Sequence, residues 1–311
     1  MRLTAIAQIA ESINMYEFRG VKGDALPPFR AGAHIDLYLP NGMMRQYSLV
    51  NAESELDRYV VAVKRDPKSR GGSIYVTEQL KIGTILTIGA PRNNFRLHES
   101  SPHTILIAGG IGITPLWSMV QRLESIRASW ELHYAARRRR EMAFIQELAC
   151  RAQKVRLHVD EECGGAVMAI GAIVDAAPPA AHIYCCGPSP MLAEFRRVTA
   201  ALPPEIVHLE HFSSDYSTPT GCLSSFNVEL ARSGRVIPVP AGATILAALR
   251  ANGVDVASSC EQGVCGACET RVIRGVPDHR DMILSAQERI DGKTMMICCS
   301  GSNSSVLVLD L

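Results

Sequence analysis

The chain has 311 residues, 20% of them charged, and a formal net charge of +1; its isoelectric point is near 7.6. That length exceeds one ordinary hydrophobic core and suits several compact modules, and the near-neutral balance argues against nucleic acid or an anionic membrane surface as a partner. No run reaches the roughly 18 apolar residues that a bilayer span requires, and polar residues interrupt the first eight positions where a secretory leader would be apolar, so a soluble cytoplasmic protein is expected.

Residues 1–101 read as short β-rich runs broken by turn residues. Ala33 to Leu39 alternates, Asn41-Gly42 turns the chain, and Tyr59 to Val63 is a buried strand, a spacing that suggests a small antiparallel barrel. The texture changes over 102–212. Thr104 to Ala108 is a continuous apolar strand, Gly109-Gly110-Ile111-Gly112 a glycine turn, and Thr114 to Ile126 has helical periodicity. Further strands at Trp130–Tyr134, Val155–Val159 and His182–Cys186, with helical stretches between them, predict βαβ units on a parallel sheet. Residues 213–225 are polar and contain Pro and Gly, as a linker would. The last module, 226–311, opens with a hairpin of Phe226–Leu230 and Arg235–Val239, followed by a helix from Thr244 to Asn252 that Gly253 stops.

That helix leads into Cys260-x4-Cys265-x2-Cys268, with Cys298 much later. The spacing is the ligand set of a plant-type [2Fe–2S] cluster, and the small, Gly-punctuated residues between the cysteines let a backbone approach inorganic sulfide closely. A structural zinc site prefers two separated Cys-x2-Cys pairs, and a redox Cys-x2-Cys would leave two cysteines unexplained. The other six cysteines, Cys150, Cys163, Cys185, Cys186, Cys222 and Cys299, show no paired spacing, which agrees with a reducing compartment.

Weaker signals lie upstream. Arg45, Tyr47 and Ser48 on one short run offer a positive fork, an aromatic face and a hydroxyl, which together suit a flavin; singly they are ordinary strand residues. In Arg70-Gly71-Gly72-Ser73, before a helical stretch from Ile74 to Leu80, two glycines and an N-cap Ser73 would present backbone N–H groups to an anion. The turn at Gly109 lacks the Gly-x-Gly-x-x-Gly of a dinucleotide fold and its downstream acid. Thr114-Pro115 and Cys186-Gly187-Pro188 nevertheless favour a nucleotide reading over a plain tight turn, because α/β sheets bind ligands where such strands end.

With these motifs in their order, the chain resembles the phthalate dioxygenase reductase and vanillate demethylase reductase family, the three-domain flavin/iron–sulfur branch of the ferredoxin–NADP reductase-like superfamily. The resemblance covers essentially the whole chain. It implies an antiparallel flavin barrel, an α/β nucleotide-binding domain and an α+β, β-grasp ferredoxin domain. It further implies that Arg45, Ser73 and the Gly71-Gly72 backbone hold the phosphate of FMN, that Tyr47 packs on the ring, and that Ser48 donates to the flavin N5 edge. Val63 and Lys64 would line the pyrimidine side, and Thr114 and Phe212 would close over the ring. Gly110, Gly112 and Pro115 would shape the pyridine-nucleotide site, with Cys186 beside the nicotinamide, Gly187 and Pro188 beneath it, and Ser48 and Cys186 nearest the reacting atoms. NADH-using relatives tend to carry an acid near the adenosine ribose. Here the chain reads Arg137 to Arg140, so Arg138 could meet a 2′-phosphate and the choice between NADH and NADPH stays open at this point.

The implied activity is that of a reductase passing electrons from NAD(P)H through FMN and [2Fe–2S] to a Rieske-type oxygenase, the chain itself being a monomer. None of the nine histidines receives a catalytic role. Two other readings are an electron-transfer subunit serving a cytochrome and a sensor whose metal loop and nucleotide site are regulatory.

Overall fold

The computed structural model describes residues 1–23, 25–67, 71–212 and 224–311; Arg70 and most of the expected linker, 213–223, lie outside the described residues. Cα packing separates two compact units, Met1–Glu210 and His211–Leu311.

The first unit begins with β1 (Arg2–Ala10), β2 (Ile13–Arg19), β3 (His34–Tyr38), β4 (Met44–Ser48), β5 (Arg58–Lys64), α1 (Gly72–Gln79) and β6 (Thr87–Ile88). Two antiparallel sheets result, in the orders β1-β2-β5 and β4-β3-β6, and a bridge between Leu49 and Val61 ties one to the other. Leu3, Tyr16, Phe18, Ile35, Leu37, Val61 and Val63 fill the space between them, and α1 plugs it with Val76. Alternation explains the pairing, since β3 turns Ile35 and Leu37 into this core. Gly42, at φ 81°, makes the turn into β4.

The chain continues through β7 (Thr104–Gly109), a single 3₁₀ turn at Gly110–Gly112, α2 (Ile113–Ser125), β8 (Trp130–Ala136), α3 (Ile145–Ala149), β9 (Val155–Val159), α4 (Ile170–Asp175), β10 (His182–Cys186), α5 (Ser189–Thr199) and β11 (Val207–Glu210). The sheet order is β11-β10-β7-β8-β9, and every pairing is parallel. One face packs Leu106, Ala108 and Tyr184 against α2, together with Ile13, Val50, Val60, Ala62 and Phe95 from the N-terminal sheets. The other packs Ile105, Ile107 and Ile183 against α4 and α5. The barrel and the parallel sheet thus share a core. Polar ties reinforce it: Gly32 N–H donates to Ser118 Oγ at 3.0 Å, and Gln121 Nε2 donates to the Val50 carbonyl at 2.8 Å.

The second unit contains β12 (Phe226–Leu230), β13 (Val236–Val239), α6 (Ile245–Ala251), β14 (Glu269–Arg274), β15 (Pro277–Asp278), α7 (Ala286–Asp291), β16 (Thr294–Met296), β17 (Gly301–Ser302) and β18 (Val306–Leu309). Its main sheet runs β13-β12-β18-β14-β16, with β12 and β18 parallel and α6 packed on it through Ile245, Leu246 and Leu249. Thr244 caps α6, its Oγ1 accepting from Ala247 N–H. A capping box of Ser285 and Glu288 starts α7.

Candidate functional site

Arg45, Tyr47 and Ser48 lie on β4, with Ser48 buried at its end. Tyr47 is half-buried, and burial pushes its hydroxyl pKa upward. The Arg45 side chain crosses the start of α1: a Cβ built on Gly72 would stand 2.2 Å from Arg45 Nε, so only glycine admits the guanidinium there. Gly71, at φ 88°, is the residue that turns the chain into the helix. The first-turn N–H groups, which no helix can satisfy internally, therefore face the same corner as a fixed positive fork, a combination that fits a phosphate. One expectation is corrected here. Ser73 is not the N-cap; it lies inside the first turn, and its Oγ accepts from Asp66 N–H at 3.2 Å. Glycine caps instead because the entry needs a left-handed residue.

Val63 is buried at the end of β5, and Lys64 follows it with its ammonium 3.4 Å from Glu141. That ion pair turns the Lys64 side chain to Glu141 and leaves its backbone at the strand end. Thr114 is buried in the first turn of α2, donating to the Ile111 carbonyl at 3.0 Å, next to the buried Pro115. The glycine turn interlocks with the end of β10. A Cβ on Gly112 would meet the Cys186 carbonyl oxygen at 2.2 Å, and one on Gly109 would meet Pro188 and Met191 at 2.7 Å. Gly112 is thereby brought against Cys186 and Gly187, and Gly109 against Pro188, while Gly110, at φ 54°, bends the same turn.

Cys186 is fully buried, and burial, followed by Glu210 and Cys185, raises its pKa well above the ordinary thiol range. It is a neutral packing surface and not an activated nucleophile. Glu210, its register partner on β11, escaped the sequence reading. Burial raises its carboxyl to about 8, and its Oε2 has no hydrogen-bond partner. An orphaned carboxyl oxygen where parallel strands end is a place for a bound group. The only hint in sequence was an acid at the end of a short, unremarked strand. Phe212 falls at the start of the second unit, is 46% exposed, and is not among the side chains that the first unit brings together.

The arginine run follows β8 directly, and all four residues are exposed. Arg139 pairs with Glu162 and Arg140 with Glu11, whereas Arg137 and Arg138 carry no ion pair among the described residues.

In the second unit the loop after α6 gathers four sulfurs. Gln262 and Val264 N–H groups donate to Cys260 Sγ at 3.3 and 3.4 Å, and Cys260 and Ala267 N–H groups to Cys265 Sγ at 3.4 and 3.5 Å. Cys265, Cys268 and Cys298 are buried. Neighbouring Cys265 and Cys298, and then the Gln262 and Val264 N–H groups, pull the Cys260 thiol below its ordinary range, and Cys298 also acts on Cys268. Glu261, Gly263 and Gly266 all take positive φ. A Cβ on Gly263 would lie 2.5 Å from Cys299 Sγ and 2.9 Å from Asp281 Cα, and the Gly263 carbonyl accepts from Met282 N–H at 2.8 Å. Four gathered thiols, two of them accepting backbone N–H bonds, fit an iron–sulfur cluster, whose sulfurs take such bonds.

Residues 228–301 match the 2Fe-2S iron-sulfur cluster binding domain family, and residues 106–197 match the oxidoreductase NAD-binding domain family. The phenoxybenzoate dioxygenase subunit beta of Ectopseudomonas oleovorans is 53% identical over all of this chain and 97% of its own length. The solved structure of phthalate dioxygenase reductase, described as transferring electrons from pyridine nucleotides to [2Fe–2S], covers the whole chain at 38% identity, with 97% of its own length matched and a TM-score of 0.73. The chain belongs to the phthalate dioxygenase reductase family. Members of this family combine FMN, NAD(H) and a [2Fe–2S] cluster, and this chain is an oxidoreductase with NAD-binding and 2Fe-2S domains, which displaces the sensor reading. A further member-like relative, the tetrachlorobenzoquinone reductase of Sphingobium chlorophenolicum, is 48% identical over 100% of this chain and 97% of its own. No helix among the described residues is long and apolar enough to cross a membrane.

Proposed function

We propose that the chain delivers electrons from NAD(P)H to a Rieske-type oxygenase. The carrying observation is the four-cysteine cradle in a chain whose other unit joins a phosphate corner to a glycine-lined strand end. When bound, flavin and cluster supply the conversion of a hydride pair into single electrons.

The chain's own contribution is to hold and exclude. Arg45, Gly71, Gly72 and Ser73 would anchor the FMN phosphate, with Tyr47 against the ring, Ser48 donating at its edge, and the Val63 and Lys64 backbone along its pyrimidine side. Thr114, Gly110, Gly112 and Pro115 would shape the space between flavin and nicotinamide. Cys186, Gly187 and Pro188 would seat the nicotinamide without offering a thiolate, and Glu210 would keep a proton on a buried oxygen there. Arg138, exposed past the end of β8, would face the adenosine end of NADH or NADPH. Cys260, Cys265, Cys268 and Cys298 would ligate the cluster, whose loop is the docking point for the oxygenase.

Cys298→Ser tests the route. It should lower iron per chain while FMN stays bound, preserve NAD(P)H oxidation with ferricyanide, and abolish reduction of a Rieske oxygenase. Undiminished oxygenase reduction would rule out the cluster as exit. A second reading rests on the tetrachlorobenzoquinone reductase relative: a quinone would be reduced at the flavin itself, and the Cys298→Ser chain would then reduce it at the wild-type rate.

A further inference from the structure

We propose that His98, His182 and His208 form a binding site for one divalent transition-metal ion of the zinc type, at the edge of the parallel sheet opposite the nucleotide end. The three residues are far apart in sequence. His182 opens β10, His208 is the second residue of the edge strand β11, and His98 sits in the segment leading into β7. Register brings the first two to one face: Tyr184 pairs with His208, and His182 precedes Tyr184 by two residues on the same side of the pleat.

The third is pinned by backbone. His98 N–H donates to the Tyr184 hydroxyl at 2.8 Å, and His182 N–H donates to the His103 carbonyl at 3.0 Å. One ring nitrogen from each histidine lies within 4.8 Å of the other two. His182 Nδ1 and His208 Nε2, sharing one hydrogen, are 2.9 Å apart. Tetrahedral zinc with Zn–N bonds of about 2.0–2.1 Å separates its ligand nitrogens by about 3.3 Å, so the His182–His208 pair is near the required span, and the exposed His98, whose ring stacks against theirs with centroids 4.6 and 5.3 Å away, has to turn out of that stack to supply the third nitrogen. On binding, the shared hydrogen moves to the other nitrogen of its own ring, which frees a lone pair without changing the charge of the two imidazoles.

The His208 ring already stacks on Tyr184, centroids 4.3 Å apart, a contact any apolar side chain could make. Burial first, and then the two neighbouring rings, hold His208 down to about 4, and burial also lowers His182. Three imidazoles with a fourth position open suit a borderline divalent metal. The length of β10, four residues at about 3.3 Å each or about 13 Å, separates the site from Cys186, so it is independent of the redox route.

The test is Zn²⁺ titration of the flavin- and iron-loaded protein by calorimetry, with iron and flavin counted before and after. One Zn²⁺ should bind per chain and raise the unfolding temperature. His98→Ala, at an exposed position, and His182→Gln should each weaken binding at least tenfold and abolish the thermal shift. Cys163→Ser is the control, because Cys163 and His158 form another surface donor pair, with Sγ 4.0 Å from Nδ1; it should change neither. Absence of zinc binding by the wild type, equal binding by the histidine variants, or loss of binding in Cys163→Ser would each overturn the proposal.

Discussion

Arg45 and Glu210 carry opposite lessons about single residues. The guanidinium lies across Gly72 and donates to the Met44 carbonyl at 2.8 Å, which holds a positive fork at a helix start. A charge-assisted contact of that kind is worth about 1.5–3 kcal/mol. Arg45→Ala should therefore loosen FMN by roughly 10- to 150-fold, measured as flavin retained through dialysis; unchanged affinity would reduce Arg45 to a strand residue. Glu210 works through burial. Its carboxyl is held at about 8 against an ordinary 4.5, so across that window the native chain keeps a proton that the unfolded chain has released. Stability consequently falls as pH rises from about 4.5 to about 8. Glu210→Gln should flatten the decline in thermal midpoint over this range, and an undiminished slope would show that another group is responsible. The placement of Arg45 with Tyr47 and Ser48 on one short strand was legible, because their spacing is local. Glu210 was not, because its environment is made by the neighbouring strand β10, which contributes Cys186 beside it.

At the level of elements, loops decide the chemistry and the sheets hold them. The cluster loop closes only because Gly263, at φ 70°, brings its Cα against Asp281 and Cys299. A methyl group there would face backbone that cannot yield. Gly263→Ala should reduce iron per chain by at least about half while FMN content is unchanged, since strain at a positive φ adds to the overlap; full iron content would mean the loop has slack. Helices and strands with strong local signals were read nearly to the residue. The helix expected over Thr114–Ile126 is Ile113–Ser125, and the strands at Val155–Val159 and His182–Cys186 coincide with β9 and β10. Some unnamed elements, β11 and α7 among them, are too brief for periodicity to register, while the longer β1, β2 and α5 were not individually named. The start of α1 was misread for a different reason: its cap is a backbone conformation at Gly71, and a serine nearby is the commoner signature.

For the molecule as a whole, the first 210 residues have their own continuous core, running from Ile13 and Val60 through α2 to Tyr134 and Tyr184. A chain ending near residue 218 should still fold and oxidise NAD(P)H with ferricyanide, at a rate within about two- to threefold of the full chain, because separate cores support separate function. It should fail to reduce cytochrome c or an oxygenase; success there would place electron exit in the first unit. The sequence by itself determined the 2Fe-2S domain, the parallel nucleotide sheet and the family, because cysteine spacing, glycine turns and apolar periodicity are local properties that survive being written in one dimension. Only the tertiary structure decided that Arg45 lies on Gly72, that Gly112 abuts Cys186, that Arg139 and Arg140 are spent in ion pairs, and that His98, His182 and His208 converge. Each of these depends on strand register and on loops packing against distant strands. Those contacts form only when burial of a common core brings far-separated segments together.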